Sequence, residues 1–264
     1  MAISVQAFSE GGFAFGAGTV TLAGAATAPN PTLAPGTPVR CHRLIVDSDT
    51  AQGAIDDTIS AFTLDDQDIQ LVINPANTLM PATTCYPDSV VNPTLGFIAQ
   101  RDSAVTITRT NMNVAPAAAY QAQAGFRCSV ANPNVNLGVE GSTLDNAPQD
   151  TGTGRLLALG GSIGAGDFGA VRTGTPLSAR DLLLFHLVVQ ANSQSLELTA
   201  IQIDDYDFLT GGTLPIGFCA ADNPAFSFRG ARVTKSNTIT VATADPLGPP
   251  AIGVHAEGIT AQVV

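Results

Sequence analysis

Two stretches hold the densest sets of groups able to do chemistry: "AFTLDDQDI" at 61–69, with Asp65, Asp66 and Asp68, and "AIQIDDYDF" at 200–208, with Asp204, Asp205 and Asp207. Clustered carboxylate oxygens are what calcium takes as ligands. On a strand, alternate side chains leave on opposite faces, so either triplet could cage an ion only around a turn. The competing reading is an acidic β-turn whose Asp side chains accept hydrogen bonds from backbone N–H groups, and the repetition favours it. A turn that fixes a fold is kept in each copy of that fold for stability alone. No metal-binding residue is assigned.

Other motifs lack the context their chemistry needs. "GGSIG" at 160–164 matches the nucleophile-elbow pattern around Ser162, but the elbow requires a helix directly after the serine, and "AGDFGAVRTGTP" cannot form one. "GAGDFG" at 164–169 matches a dinucleotide-binding glycine pattern and fails for the same reason, since no helix N-terminus follows to hold a pyrophosphate. His42, His186 and His255 stand in unrelated contexts and assemble no Ser-His-Asp set. Cys41, Cys85, Cys128 and Cys219 form no CxxC pair, so they read as buried thiols rather than zinc ligands. The expectation is a protein with no catalytic residue, no cofactor and no enzymatic activity.

Composition points to association. Charged residues make up 12% of the chain, about half the roughly 25% of an average globular protein. Among the cations, Lys235 is the only lysine beside ten arginines, and Glu10, Glu140, Glu197 and Glu257 are the only glutamates beside eighteen aspartates. Interfaces shed Lys and Glu because immobilising them costs entropy, whereas the planar Arg fork is retained. The same bias arises from a saline habitat or from high-GC coding. A net charge of −11 offers no basic stripe for phosphates, which excludes direct nucleic-acid binding. The apolar run "LLLFHLVV" at 182–189 is too short to span a membrane, and the N-terminus has no basic region of the kind a secretory signal carries. A soluble protein made in a cytoplasm is expected.

The elements that must carry these residues are strands. Helical periodicity is nearly absent, and 26 Gly and 17 Pro are spread along the chain. Short alternating segments rich in β-branched residues, such as "RLIVDS" at 43–48, "ISAFTL" at 59–64, "AVTITRT" at 104–110 and "NTITVAT" at 237–243, are bounded by turn residues, the pattern of antiparallel sandwiches. "LLLFHLVV" reads as a strand covered on both faces, although Ser178 and Asp181 ahead of it resemble a helix start.

Several islands recur in the same order. "GTP" at 36 returns at 174, the acidic triplet at 65–68 returns at 204–207, Cys85 returns as Cys219, "NP" at 92 returns at 223, "TIT" at 106 returns at 238, and Gly125 returns as Gly258. A period this long makes each copy a whole domain rather than a solenoid unit. The expected fold is all-β: two tandem antiparallel, jelly-roll-like sandwiches related by internal duplication, at 1–140 and 141–264, with the boundary in 139–154.

On these islands the chain resembles the double-jelly-roll major capsid proteins of tailless, membrane-containing bacteriophages. The resemblance implies two eight-stranded jelly rolls side by side and a homotrimer forming a pseudo-hexagonal capsomer, with neighbouring capsomers and other virion proteins as partners in an icosahedral shell. It implies residence in the virion after synthesis in the host cytoplasm, with no membrane insertion. The alternative is a non-enzymatic fibre or adhesin-type surface protein, with calcium at the acidic triplets. A hydrolase acting through Ser162 is the third reading.

Overall fold

A computed structural model describes residues 5–7, 13–22, 26–30, 39–49, 56–65, 67–68, 71–74, 79–92, 95, 97–100, 103–112, 119–130, 154–158, 169–176, 181–191, 193, 195–247 and 255–263. The protein is all-β, with several antiparallel sheets. In the first half the strands are β1 (Val5–Ala7), β2 (Phe13–Leu22), β3 (Thr27–Pro29), β4 (Val39–Ser48), β5 (Asp57–Leu64), β6 (Gln67–Asp68), β7 (Leu71–Asn74), β8 (Met80–Pro81), β9 (Phe97–Ala99), β10 (Val105–Asn111) and β11 (Tyr120–Val130). In the second they are β12 (Gly154–Ala158), β13 (Gly169–Pro176), β14 (Leu182–Ala191), β15 (Glu197–Ile203), β16 (Tyr206–Asp207), β17 (Leu214–Pro215), β18 (Ala231–Val233), β19 (Ile239–Ala244) and β20 (His255–Val263).

Strand chemistry follows the alternation. Along β10, Val105 and Ile107 point inward between half-exposed threonines, and β-branched side chains suit that pleat. In the first half one sheet runs β1-β2-β11-β4-β9 and a second runs β3-β10-β5-β6, with β8 also on β5. Leu44, Val46 and Phe126 of the one meet Ile59, Phe62 and Ile107 of the other in a single apolar core. The second half builds a core in the same way, from Leu184, Leu187 and Ile259 against Leu198, Ile201 and Val241.

Seven antiparallel pairings of the first half have counterparts in the second. Pairs β2·β11, β11·β4, β4·β9, β3·β10, β10·β5, β5·β6 and β5·β8 answer to β12·β20, β20·β14, β14·β18, β13·β19, β19·β15, β15·β16 and β15·β17. Irregularities coincide as well. The β5·β10 register skips Ser60 and the β15·β19 register skips Thr199. Each half carries a 3-10 turn after a short strand, Ala82–Cys85 and Ile216–Cys219, that ends on a buried cysteine. One sequence match is out of register by two: Thr106 lies opposite Thr63 and Thr240 opposite Gln202, so Thr106 answers to Thr240 rather than to Thr238. A slip of two keeps every side chain on its face, so the pattern alone did not reveal it.

The halves interlock. Strand β7, from the first half, pairs parallel with β12 and antiparallel with β13, joining both sheets of the second half into one. Strand β14 contains the strand expected at 182–189 with both faces covered: Leu182, Leu184 and Leu187 enter the core, while Val188 on the other face packs with Val91 of the first half. Ala256 meets Met112 and Leu79 in the same joint. Gly258 lies so close to the first half that a Cβ there would stand 2.4 Å from the Met80 sulfur and 2.8 Å from Pro81. Gly258→Ala is therefore expected to cost about 1–3 kcal/mol through overpacking. Combined with Met80→Ala, which frees that space, it is expected to cost less than the sum of the two single changes in denaturant unfolding.

Candidate functional site

Asp65 and Asp204 close the two acidic turns in matching ways. Both adopt left-handed backbone, with φ of 49° and 51°, a conformation that Asp tolerates better than most side chains. The Asp65 N–H donates to the Ala104 carbonyl at 2.8 Å, and the Asp204 N–H donates to the Thr238 carbonyl at 2.8 Å. One carboxylate oxygen accepts the Ala104 N–H at 2.7 Å in the first turn and the Thr238 N–H at 2.7 Å in the second. The other oxygen accepts the Ser103 hydroxyl at 2.8 Å, or the Asn237 amide at 2.6 Å. Asp207 accepts the N–H of Leu209 at 2.8 Å.

These carboxylates act as brackets that tie each hairpin tip to the start of the next long strand. The Thr238 N–H, with help from Asn237, holds Asp204 below the ordinary aspartate range, and the Leu209 N–H does the same for Asp207. Asp66 lies outside the described residues, the Asp68 side chain is not described, and Asp205 is exposed. Among the described residues no group of three or more His, Cys, Asp or Glu could hold a metal ion. Asp204→Ala is expected to lower the melting temperature, Asp204→Asn to lower it less because the amide oxygen still accepts the Thr238 N–H, and chelator to shift none of the three proteins. A chelator-sensitive wild type would instead mark a calcium site.

Among the described residues, the largest fully buried side chain is one that sequence reasoning passed over. Arg109 projects inward from β10 in line with Val105 and Ile107, and it is 0% exposed, as is Asp57 at the start of β5. Its Nε donates to Asp57 Oδ1 at 3.1 Å, Nη2 donates to Asp57 Oδ2, and Nη1 donates to the Gln123 carbonyl at 2.8 Å. Desolvation outweighs the neighbouring guanidinium and pushes the Asp57 carboxyl up to about 6. Burial likewise pushes the Cys85 thiol up to about 12 and raises Tyr86, whose hydroxyl shares a 2.7 Å hydrogen bond with Ser48. Neither group is an activated nucleophile or base at neutral pH.

Gln190 of β14 reaches across from the second half onto this pair. Its Nε2 donates to the Asp57 carbonyl at 2.7 Å, and its Oε1 accepts the Thr83 N–H at 3.2 Å. Beside it a groove of about 370 Å³ opens between the two 3-10 turns, lined by Tyr86, Asp88, Gln190, Ile216 and Asp222 among others. The positions that answer to Asp57 and Arg109 in the second half are Leu196 and Thr243, so the charge pair belongs to the first half alone.

The remaining sequence candidates do not join this cluster. "GGSIG" with Ser162 lies outside the described residues, and of "GAGDFG" only Gly169 is described, at the start of β13. His42 and His186 occupy the irregular stretches of β4 and β14, and His255 opens β20. Burial of His186 lowers its pKa from 6.5, which keeps it neutral. Cys41, Cys85 and Cys219 are buried, and Cys128 lies on β11. No protein-family model matches the chain, and no curated protein matches it in sequence.

The arrangement at the joint thus ties the two halves together. Arg109→Thr strands a buried carboxylate and is expected to cost about 3–5 kcal/mol, while Asp57→Leu with Arg109→Thr, the pair present in the second half, recovers most of it. Asp57 binds its proton more tightly folded than unfolded, so it adds stability as pH falls from about 6 toward 3.8. That rise should vanish in the double variant when unfolding is followed across this window.

Proposed function

We propose that the chain is a structural virion protein, a major capsid protein built from two tandem antiparallel jelly-roll sandwiches that arose by internal duplication, and that it assembles through homotrimeric capsomers into an icosahedral shell. The observation that carries this reading is strand order. Let the counterpart strands of each half be ranked one to eight along the chain, leaving out β1, β7, β8 and β17. One sheet then runs first, eighth, third, sixth and the other second, seventh, fourth, fifth, in the first half and again in the second. That order matches the one a jelly roll has, a fold that capsid proteins use widely, and supports the reading. Its occurrence twice, with matching pairings, bulges and acidic brackets, supports duplication, with units at 1–140 and 141–264 linked through β7.

Two like units per chain let three chains present six similar lateral faces, which suits the sixfold surroundings of a shell. The low share of charged residues and the scarcity of Lys and Glu fit a molecule packed among copies of itself. The net charge of −11 keeps finished particles apart in solution and directs genome contact to other virion proteins. Light scattering on the purified chain is expected to give a trimer, unchanged by chelator, and electron microscopy of the native source to show icosahedral particles. A chain that stays monomeric at high concentration would sink the proposal.

A further inference from the structure

The joint inside the chain has two sides, and each side has a counterpart left uncovered in the other half. On the second half, the receiving side is the outward face of β14 and β20: Val188, Gln190, Ala256 and Gly258, all buried. Register fixes their counterparts in the first half. Val188 pairs with Gly258 as Ile45 pairs with Gly125, and Gln190 pairs with Ala256 as Asp47 pairs with Gln123. There Asp47 and Gln123 are exposed, and Ile45 and Gly125 are half-exposed.

The inserting side behaves the same way. In the first half it is Met80, Pro81 and the turn Ala82–Cys85, with Met80 and Pro81 buried. Met80 pairs with Ile59 as Leu214 pairs with Leu198, and Pro81 pairs with Thr58 as Pro215 pairs with Glu197. In the second half this edge is open: Pro215 and Gly217 are exposed, Leu214 is half-exposed, and Phe218 is 46% exposed.

We infer that the outward face of β4 and β11, around Ile45, Asp47, Gln123 and Gly125, receives the β17 edge with Pro215 and Phe218 of a second copy of this chain, repeating between subunits the joint made within each one. The inference rests on the proposed self-association and names its surfaces. The two surfaces differ, so the contact is head-to-tail and propagates until it closes, at three copies for a chain with two units. Gly125 gives Leu214 the close approach that Gly258 gives Met80; a mid-strand glycine is otherwise a cost. Asp47 takes the place of Gln190, with a carboxylate oxygen to accept the Gly217 N–H as Gln190 accepts that of Thr83.

Head-to-tail geometry makes the test specific. Gln123→Arg spoils the receiving face and Phe218→Asp spoils the inserting edge, with Ile45→Glu and Pro215→Glu as a second pair. Each variant alone is expected to melt as the wild type does and to run as a monomer at concentrations where the wild type is a trimer. Mixed one to one, the Gln123→Arg and Phe218→Asp proteins retain one sound edge and one sound face between them and should form a heterodimer that grows no further. A trimeric wild type whose variants of both pairs also stay trimeric, or whose mixture yields no heterodimer, overturns these surfaces and leaves the shell reading standing. A monomeric wild type overturns both.

Discussion

The outward face of β14 and β20 is dry, and much of the molecule is arranged to keep it so. A sheet with one wet face would alternate polar and apolar residues, but here Val188, Gln190, Ala256 and Gly258 are covered by the first half. That requirement explains why β14 is mostly apolar and why a glycine stands in mid-β20. It also explains why Gln190, the polar intruder on this face, has both ends of its amide hydrogen-bonded across the joint.

Placing Arg109 and Asp57 beneath the same joint is costly, because both charges leave water and a well-packed apolar pair would hold the fold as firmly. The second half holds an uncharged pair at the answering positions, Leu196 and Thr243. What the charged version adds is geometry. The guanidinium links β5 to the Gln123 carbonyl on β11, so a strand of each sheet in the first half is tied directly below the contact with Gln190. The two halves thus differ at the positions where one of them carries the joint.

The all-β class, the strand over 182–189 and the bracket role of Asp65 and Asp204 were legible in the sequence, because alternation and turn chemistry are local. The acidic turns were readable twice over, since the same spacing occurs in both halves. Arg109 was legible in part: the inward alternation of Val105 and Ile107 continues onto it, but a charge at an inward position needs a partner, and Asp57 lies 52 residues earlier in the chain. Gln190 carried no signal at all, for an amide within an apolar strand has no pattern until the opposing surface is known. Strand β7 was hidden for a related reason, since "LVIN" reads as a strand but not as a strand of the distant half.

The placement of β7 makes the halves unequal in autonomy. Residues 71–74 leave the ribosome well before β12 and β13, and must remain unpaired or loosely held until those strands arrive. The second half expressed by itself would show two bare edges side by side, an invitation to pair with whatever strand is near. Cooperative unfolding of the whole chain, rather than stepwise loss of one half and then the other, is the natural outcome of a sheet stitched with a borrowed strand.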